Sequence, residues 1–91
     1  MGFGSIGSVP ALGAAMRQAR LDAGLTQAEL AERAGVSRHW LVTVENAQVS
    51  GVDLGRVFRV LRVLDLWIRL EGVETLNPET ALIRAWVKAR P

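Results

Sequence analysis

Apolar positions recur along this chain at two different periods, the first of them helical. Leu12, Met16 and Ala19 repeat at helical spacing from Pro10 onward, and Gly24 offers the left-handed residue that ends a first helix. Thr26 with Glu29 three residues later makes a capping box, which opens a second helix running to about Ala34, where Gly35 stops it. Ser37 caps a third helix that continues through Leu41 and Val44 to Glu45. The polar stretch Asn46 to Gly51 is a loop, and Asp53 then caps a fourth helix whose predicted inner face is Leu54, Val57, Phe58, Leu61 and Leu64.

Beyond Leu64 the period changes. Leu66, Ile68 and Leu70 alternate with Trp67, Arg69 and Glu71, the signature of a half-buried strand, and one strand needs a partner. Asn77 caps a last helix with Pro78 at its first position, lined by Leu82, Ile83, Trp86 and Val87. Residues 1–9 carry Gly2, Gly4, Ser5, Gly7 and Ser8 without a charge and read as a flexible leader to which no role is given. The chain thus divides into that leader, a helical domain over residues 10–66, and a strand and helix over 67–91 for dimerisation or partner binding.

Composition narrows the classes open to it. Ninety-one residues make one domain, and 49% hydrophobic content lies far from the disordered range. So short a chain gains by sharing apolar surface with a second copy. The absence of cysteine removes disulfides, thiolate metal sites and thiol nucleophiles, and fits a reducing cytoplasm. No signal-peptide layout opens the chain, and the apolar run Val57 to Leu70 is broken by Arg59, Arg62, Asp65 and Arg69, so no membrane association is expected. The net charge is only +2, yet ten of the eleven basic residues are arginine, the side chain suited to bidentate phosphate and guanine contacts. An arginine-rich, high-GC genome would give the same composition.

An enzyme is not expected. One histidine, no paired acids at a cleft and no glycine-rich phosphate loop after a strand leave nothing to assemble, and neither metal nor cofactor is called for. His39 with Ser37 and Glu45 is no triad, because Glu45 is turned toward the core.

The turn between the second and third helices makes specific demands. It needs a small residue where the helices cross, a residue tolerating positive φ in the turn, and apolar residues facing a shared core. Ala31 is small, Gly35 takes the turn, and Leu30, Ala34, Val36, Leu41 and Val44 point inward. With both caps in place, the run Leu25-Thr26-Gln27-Ala28-Glu29-Leu30-Ala31-Glu32-Arg33-Ala34-Gly35-Val36-Ser37-Arg38 resembles the XRE, or phage Cro/C1 repressor-like, helix-turn-helix family. The resemblance covers Leu12 to about Leu66. It implies an all-α, lambda-repressor-like domain, commonly a homodimer on a palindromic operator in double-stranded DNA, with the third helix in the major groove.

Carried onto this chain, the resemblance gives Gln27 a phosphate contact at the start of the second helix, where backbone N–H groups also favour an anion. Ser37, Arg38 and His39 would face base edges, with Thr43 further along the same side. Arg38 is the strongest candidate for reading guanine through O6 and N7. For His39 both a base and a phosphate contact stay open, and Trp40 would either press on sugar or thymine methyl or pack against the fourth helix. Asn46 and Gln48 stand where relatives contact phosphates, although Ala47 replaces the family's usual glycine. Arg17 is a further phosphate candidate. Arg20 and Glu45 occupy the positions of a buried structural ion pair.

The segment Asp53-Leu54-Gly55-Arg56-Val57-Phe58-Arg59-Val60-Leu61-Arg62-Val63-Leu64-Asp65-Leu66, followed by a strand, is similar to the HipB-type antitoxin branch. That branch implies a strand paired with its copy in a second subunit, with Val60, Val63, Trp67, Ile68 and Leu70 at the dimer interface. It also implies an autoregulating repressor in the bacterial cytoplasm, associated with the nucleoid, that neutralises a toxin such as a HipA-like kinase. Two alternatives are a phage-type or general XRE repressor without a toxin, and a protein-interaction adaptor with weak DNA binding.

Overall fold

Four helices occupy the described residues, 4–72, of the computed structural model: α1 (Val9–Asp22), α2 (Gln27–Ala34), α3 (Arg38–Glu45) and α4 (Leu54–Val63). Each begins where a side-chain oxygen takes up an otherwise orphaned backbone N–H. Ser8 accepts from Ala11 at 3.2 Å, Ser37 from Trp40 at 3.0 Å and Asp53 from Arg56 at 3.3 Å. Thr26 accepts from the Glu29 N–H at 3.1 Å while the Glu29 carboxylate accepts from the Thr26 N–H at 3.0 Å, so the capping box is closed in both directions. The Thr26 backbone N–H, then its hydroxyl, and more weakly the Arg33 charge, hold the Glu29 carboxyl below the ordinary glutamate range. The stabilisation this gives is complete above the unfolded-state titration of Glu29 and is lost as pH falls through the depressed native one. The Ser8 cap gives the end of the leader a role that its composition did not suggest.

All four helices end in one and the same way. A residue with positive φ follows the helix, and it and its successor return their N–H groups to carbonyls of the last turn, a Schellman ending. At α1 the bonds are Gly24 to Leu21 at 3.0 Å and Leu25 to Arg20 at 3.1 Å; at α2, Gly35 to Glu32 at 3.2 Å and Val36 to Ala31 at 3.0 Å. At α3, Ala47 donates to Val44 at 3.2 Å and Gln48 to Thr43 at 2.9 Å; at α4, Asp65 donates to Arg62 at 3.2 Å and Leu66 to Leu61 at 2.8 Å. The turning residues Gly24, Gly35, Ala47 and Asp65 have φ of 71°, 69°, 56° and 58°. After them Leu25, Val36 and Leu66 fold back against the core, whereas Gln48 stays exposed.

Leu66 is therefore the apolar clasp of a helix end. No strand ladder forms within the chain among the described residues, and the strand expected over Leu66 to Glu71 is one that needs a second copy. The helix expected from Pro78 lies outside the described residues.

Met16, Leu30, Leu41, Val44, Val57 and Val60 are fully buried, and Ala31 and Ala34 join them. Each large side chain so buried contributes about 1.5–3 kcal/mol of transfer free energy. α1 packs on α3, and α2 packs on both α3 and α4. The face of α4 is rotated from the expected one. Leu54 and Phe58 are 52% and 43% exposed, and Val60, expected at a dimer interface, sits inside the chain's own core. α4 is apolar at so many positions that two phases satisfy a helical period, and Val57, Val60 and Leu61 together define the one adopted.

Gly13 sets how closely α1 can lie on α3. A Cβ built there would fall inside the envelope of the Val44 carbonyl oxygen and 3.0 Å from its carbon, both backbone atoms that no rotamer change can move. Alanine is the better helix former by about 1 kcal/mol. Gly13→Ala should nonetheless destabilise the fold by about 1–3 kcal/mol, the usual cost of overpacking, in urea denaturation. An unchanged or raised midpoint would show that α1 and α3 do not approach so closely.

Candidate nucleic-acid interface

The recognition face follows from how α3 is buried. Leu41, Val44 and Glu45 point inward, so at about 100° per residue the opposite side carries His39, Val42, Thr43 and, just past the helix, Asn46. Arg38 and His39 are exposed on the first turn. Ser37 is exposed too, with its hydroxyl oxygen engaged as the helix cap. The Thr43 hydroxyl donates to the Trp40 carbonyl at 2.8 Å, which restrains its rotamer. Asn46 and Gln48 are exposed in the following turn, and Arg17 is exposed on α1. Among the described residues neither Arg17 nor Arg38 forms an ion pair.

Two placements alter the expected roles. Trp40 is half-buried against the core, and the Arg56 guanidinium of the fourth helix lies over its ring at 5.9 Å from the centroid. Gln27 is half-buried and donates from Nε2 to Glu45 Oε1 at 3.1 Å. It therefore ties the start of α2 to the end of α3.

That bond is one edge of a buried polar network. Arg20 Nε and Nη2 grip both oxygens of Glu45 at 2.9 Å, and Arg20 Nη1 donates to the Leu25 carbonyl at 2.9 Å. Both charged residues are buried, and among the described residues no buried side-chain polar atom lacks a partner. The ion pair joins α1 to α3 through a fork that only arginine can offer.

Val42 was missing from the expected contacts. It lies three residues after His39 and four before Asn46, a spacing that places it on the same outward stripe. Arg56 and Arg59 also escaped notice, and Arg59 donates from Nη1 to the Gly35 carbonyl at 3.3 Å. Nothing in helical periodicity marks a contact made across two helices.

A capped helix, a left-handed turn and a second helix with one polar, arginine-bearing outer face make up a helix-turn-helix. The helix-turn-helix domain family matches the chain over residues 11–66, and the chain belongs to that family, among its XRE-type regulators. On the HipB side of those regulators, a HipB variant in complex with an O2 20mer is 32% identical, with 80% of this chain and 100% of that one covered and a TM-score of 0.71. SinR, a master regulator for biofilm formation, in complex with DNA is 30% identical over 62% of this chain and 89% of that one, with a TM-score of 0.59. The SinR/SinI complex is 27% identical over 86% of this chain and 79% of that one, with a TM-score of 0.61. No curated protein matches the chain. The chain is a helix-turn-helix DNA-binding regulator similar to HipB and SinR.

Two substitutions should move stability in opposite directions. Glu45→Gln leaves the Arg20 charge buried without its counter-ion and should cost about 3–5 kcal/mol, read as a large drop in melting temperature. A loss within experimental error would mean that the pair is solvated. Ala47→Gly relieves an L-residue held at positive φ, a cost of about 1–2 kcal/mol, against about 0.4–1 kcal/mol of added chain entropy. A net gain of about 0.5–1 kcal/mol is expected from the same melts, and a net loss would contradict the left-handed ending of α3.

Proposed function

We propose that this chain is a sequence-specific transcriptional repressor that binds a palindromic operator as a homodimer and autoregulates its own operon. In this reading it also acts as the antitoxin to a toxin encoded beside it, of the HipA-like kinase type, in the cytoplasm of a bacterium and on its nucleoid. The observation that carries the proposal is α3, whose outward face bears His39, Val42, Thr43 and Asn46, with Arg38 exposed at its first residue, and whose inner side is held by the Arg20–Glu45 pair. A helix of this size fits the major groove, where each base pair shows a distinct set of donors and acceptors.

The likeness to HipB, over the whole of that chain, supports the antitoxin branch. Dimerisation is supported by the apolar surface of the segment after α4, since Trp67 and Leu70 are 80% and 88% exposed and Ile68 lies exposed between them. A twofold pairing of this segment, with the half-buried Val63 at its edge, would remove that surface from water. The likeness to SinR in its complex with SinI supports a second reading, in which the chain is an XRE-type repressor without a toxin and its protein partner is of another kind.

Fluorescence anisotropy on the DNA upstream of its own gene tests the proposal. The chain should bind selectively and lose affinity linearly in the logarithm of salt concentration, with a slope of about −0.9 per phosphate contacted. Arg38→Ala should relax the preference at one operator position, at about 1–3 kcal/mol, whereas Gln27→Ala should weaken every duplex alike. Equal losses on all sequences for both variants would make Arg38 a phosphate contact only. No binding at low salt, with a protein captured instead, would favour an adaptor.

A further inference from the structure

The first turn of α3 carries the reading residues Arg38 and His39, and its next residue, Trp40, is turned back toward α4. Two arginines of α4 reach this corner of the domain. Arg56 lies over the Trp40 ring, and Arg59 donates to the carbonyl of Gly35 in the turn just before α3. Arg56 also has a carboxylate near it: Asp53, the cap of α4, accepts the Arg56 backbone N–H and stands 3.8 Å from its guanidinium. The Arg56 side chain thus lies near both the carboxylate that caps its own helix and an aromatic face on the recognition helix.

Among the described residues, these two arginine contacts are the polar ones that reach the front of α3 from α4. The Arg20–Glu45–Gln27 network grips its far end, at Glu45. Leu41 anchors the inner side of the first turns in the core, and the contacts from α4 act on the other side, through the half-buried Trp40 ring and the Gly35 carbonyl, next to the exposed Arg38 and His39. We infer that Arg56 is a positioning residue for DNA recognition, which acts through the Trp40 ring to hold the first turn of α3 in register with the bases. The inference rests on the DNA-binding reading above and adds a residue of α4 to it, one that touches no DNA.

The alternative use of an arginine at this corner is a direct phosphate contact, and the two differ in measurable ways. A phosphate contact contributes to the salt slope and is indifferent to Trp40, whereas a positioning contact does neither. The probes are a labelled duplex selected by the wild-type chain from a random pool and a random-sequence duplex of equal length. Arg56→Gln should weaken binding to the selected duplex about 2- to 5-fold, the size of a partly exposed cation–π contact, and leave the random duplex and the salt slope unchanged. In a Trp40→Leu background, where an apolar side chain is kept but the π face is gone, Arg56→Gln should cause no further loss. In a Trp40→Phe background, which restores a π face, the loss should return.

A loss of equal size in the Trp40→Leu background, or a salt slope lowered by about one phosphate, would overturn the inference in favour of a direct contact. No loss in any background would overturn it as well. A wild-type chain that retains neither duplex at low salt defeats the DNA-binding reading itself, an outcome distinct from both. Circular dichroism melts of each variant show whether a loss of binding is a loss of fold.

Discussion

The pair Arg20–Glu45 is the constraint on which the arrangement of this domain depends. Its partners sit at the end of α1 and the end of α3, separated by the whole of α2, and both are removed from water. Burying two charges is favourable only when geometry is good and every remaining donor and acceptor is met. Here the fork of Arg20 takes both carboxylate oxygens, its third nitrogen takes the Leu25 carbonyl in the turn before α2, and Gln27 adds a bond from the start of α2. One network therefore ties α1, the turn before α2, the start of α2 and the end of α3 together.

Close packing completes what the ion pair begins. Gly13 lets α1 lie against the backbone of α3 at Val44, one residue before Glu45, so the contact and the salt bridge hold the same place. Small residues play the same part in α2, where Ala31 and Ala34 are buried at its junctions with its neighbours. The repeated helix ending then directs each connection back toward the core through Leu25, Val36 and Leu66. Only the ending of α3 departs, with Ala47 at the strained position and an exposed Gln48 after it. The chain between α3 and α4 thereby keeps its polar groups outward, on the side where Asn46 and Gln48 are expected to meet phosphates.

What was legible in the sequence was what is decided locally. Thr26 with Glu29, Ser37, Asp53, Gly24 and Gly35 act within a turn of their own positions, and each cap and stop lies where the residue types place it. The face of α4 was not legible, because Leu54, Val57, Phe58, Val60, Leu61 and Val63 satisfy two helical phases and only the neighbours of α4 select between them. Nothing in the sequence marked Gly13, since its reason is a backbone approach from elsewhere in the chain. The Arg20–Glu45 pair was expected through family resemblance, whereas the bond from Gln27 and the Arg56–Trp40 stack join residues far apart in sequence and follow from no pattern within one helix.

The proposed role of this domain depends on α3 being the surface that meets DNA. The most direct test is an amide chemical-shift map of the isotope-labelled chain titrated with its own operator duplex. The largest shifts should fall on Gln27, Arg38, His39, Val42, Thr43, Asn46 and Gln48, with the outer face of α4 at Leu54 and Phe58 little changed. Large shifts confined to that outer face, with α3 unmoved, would contradict it.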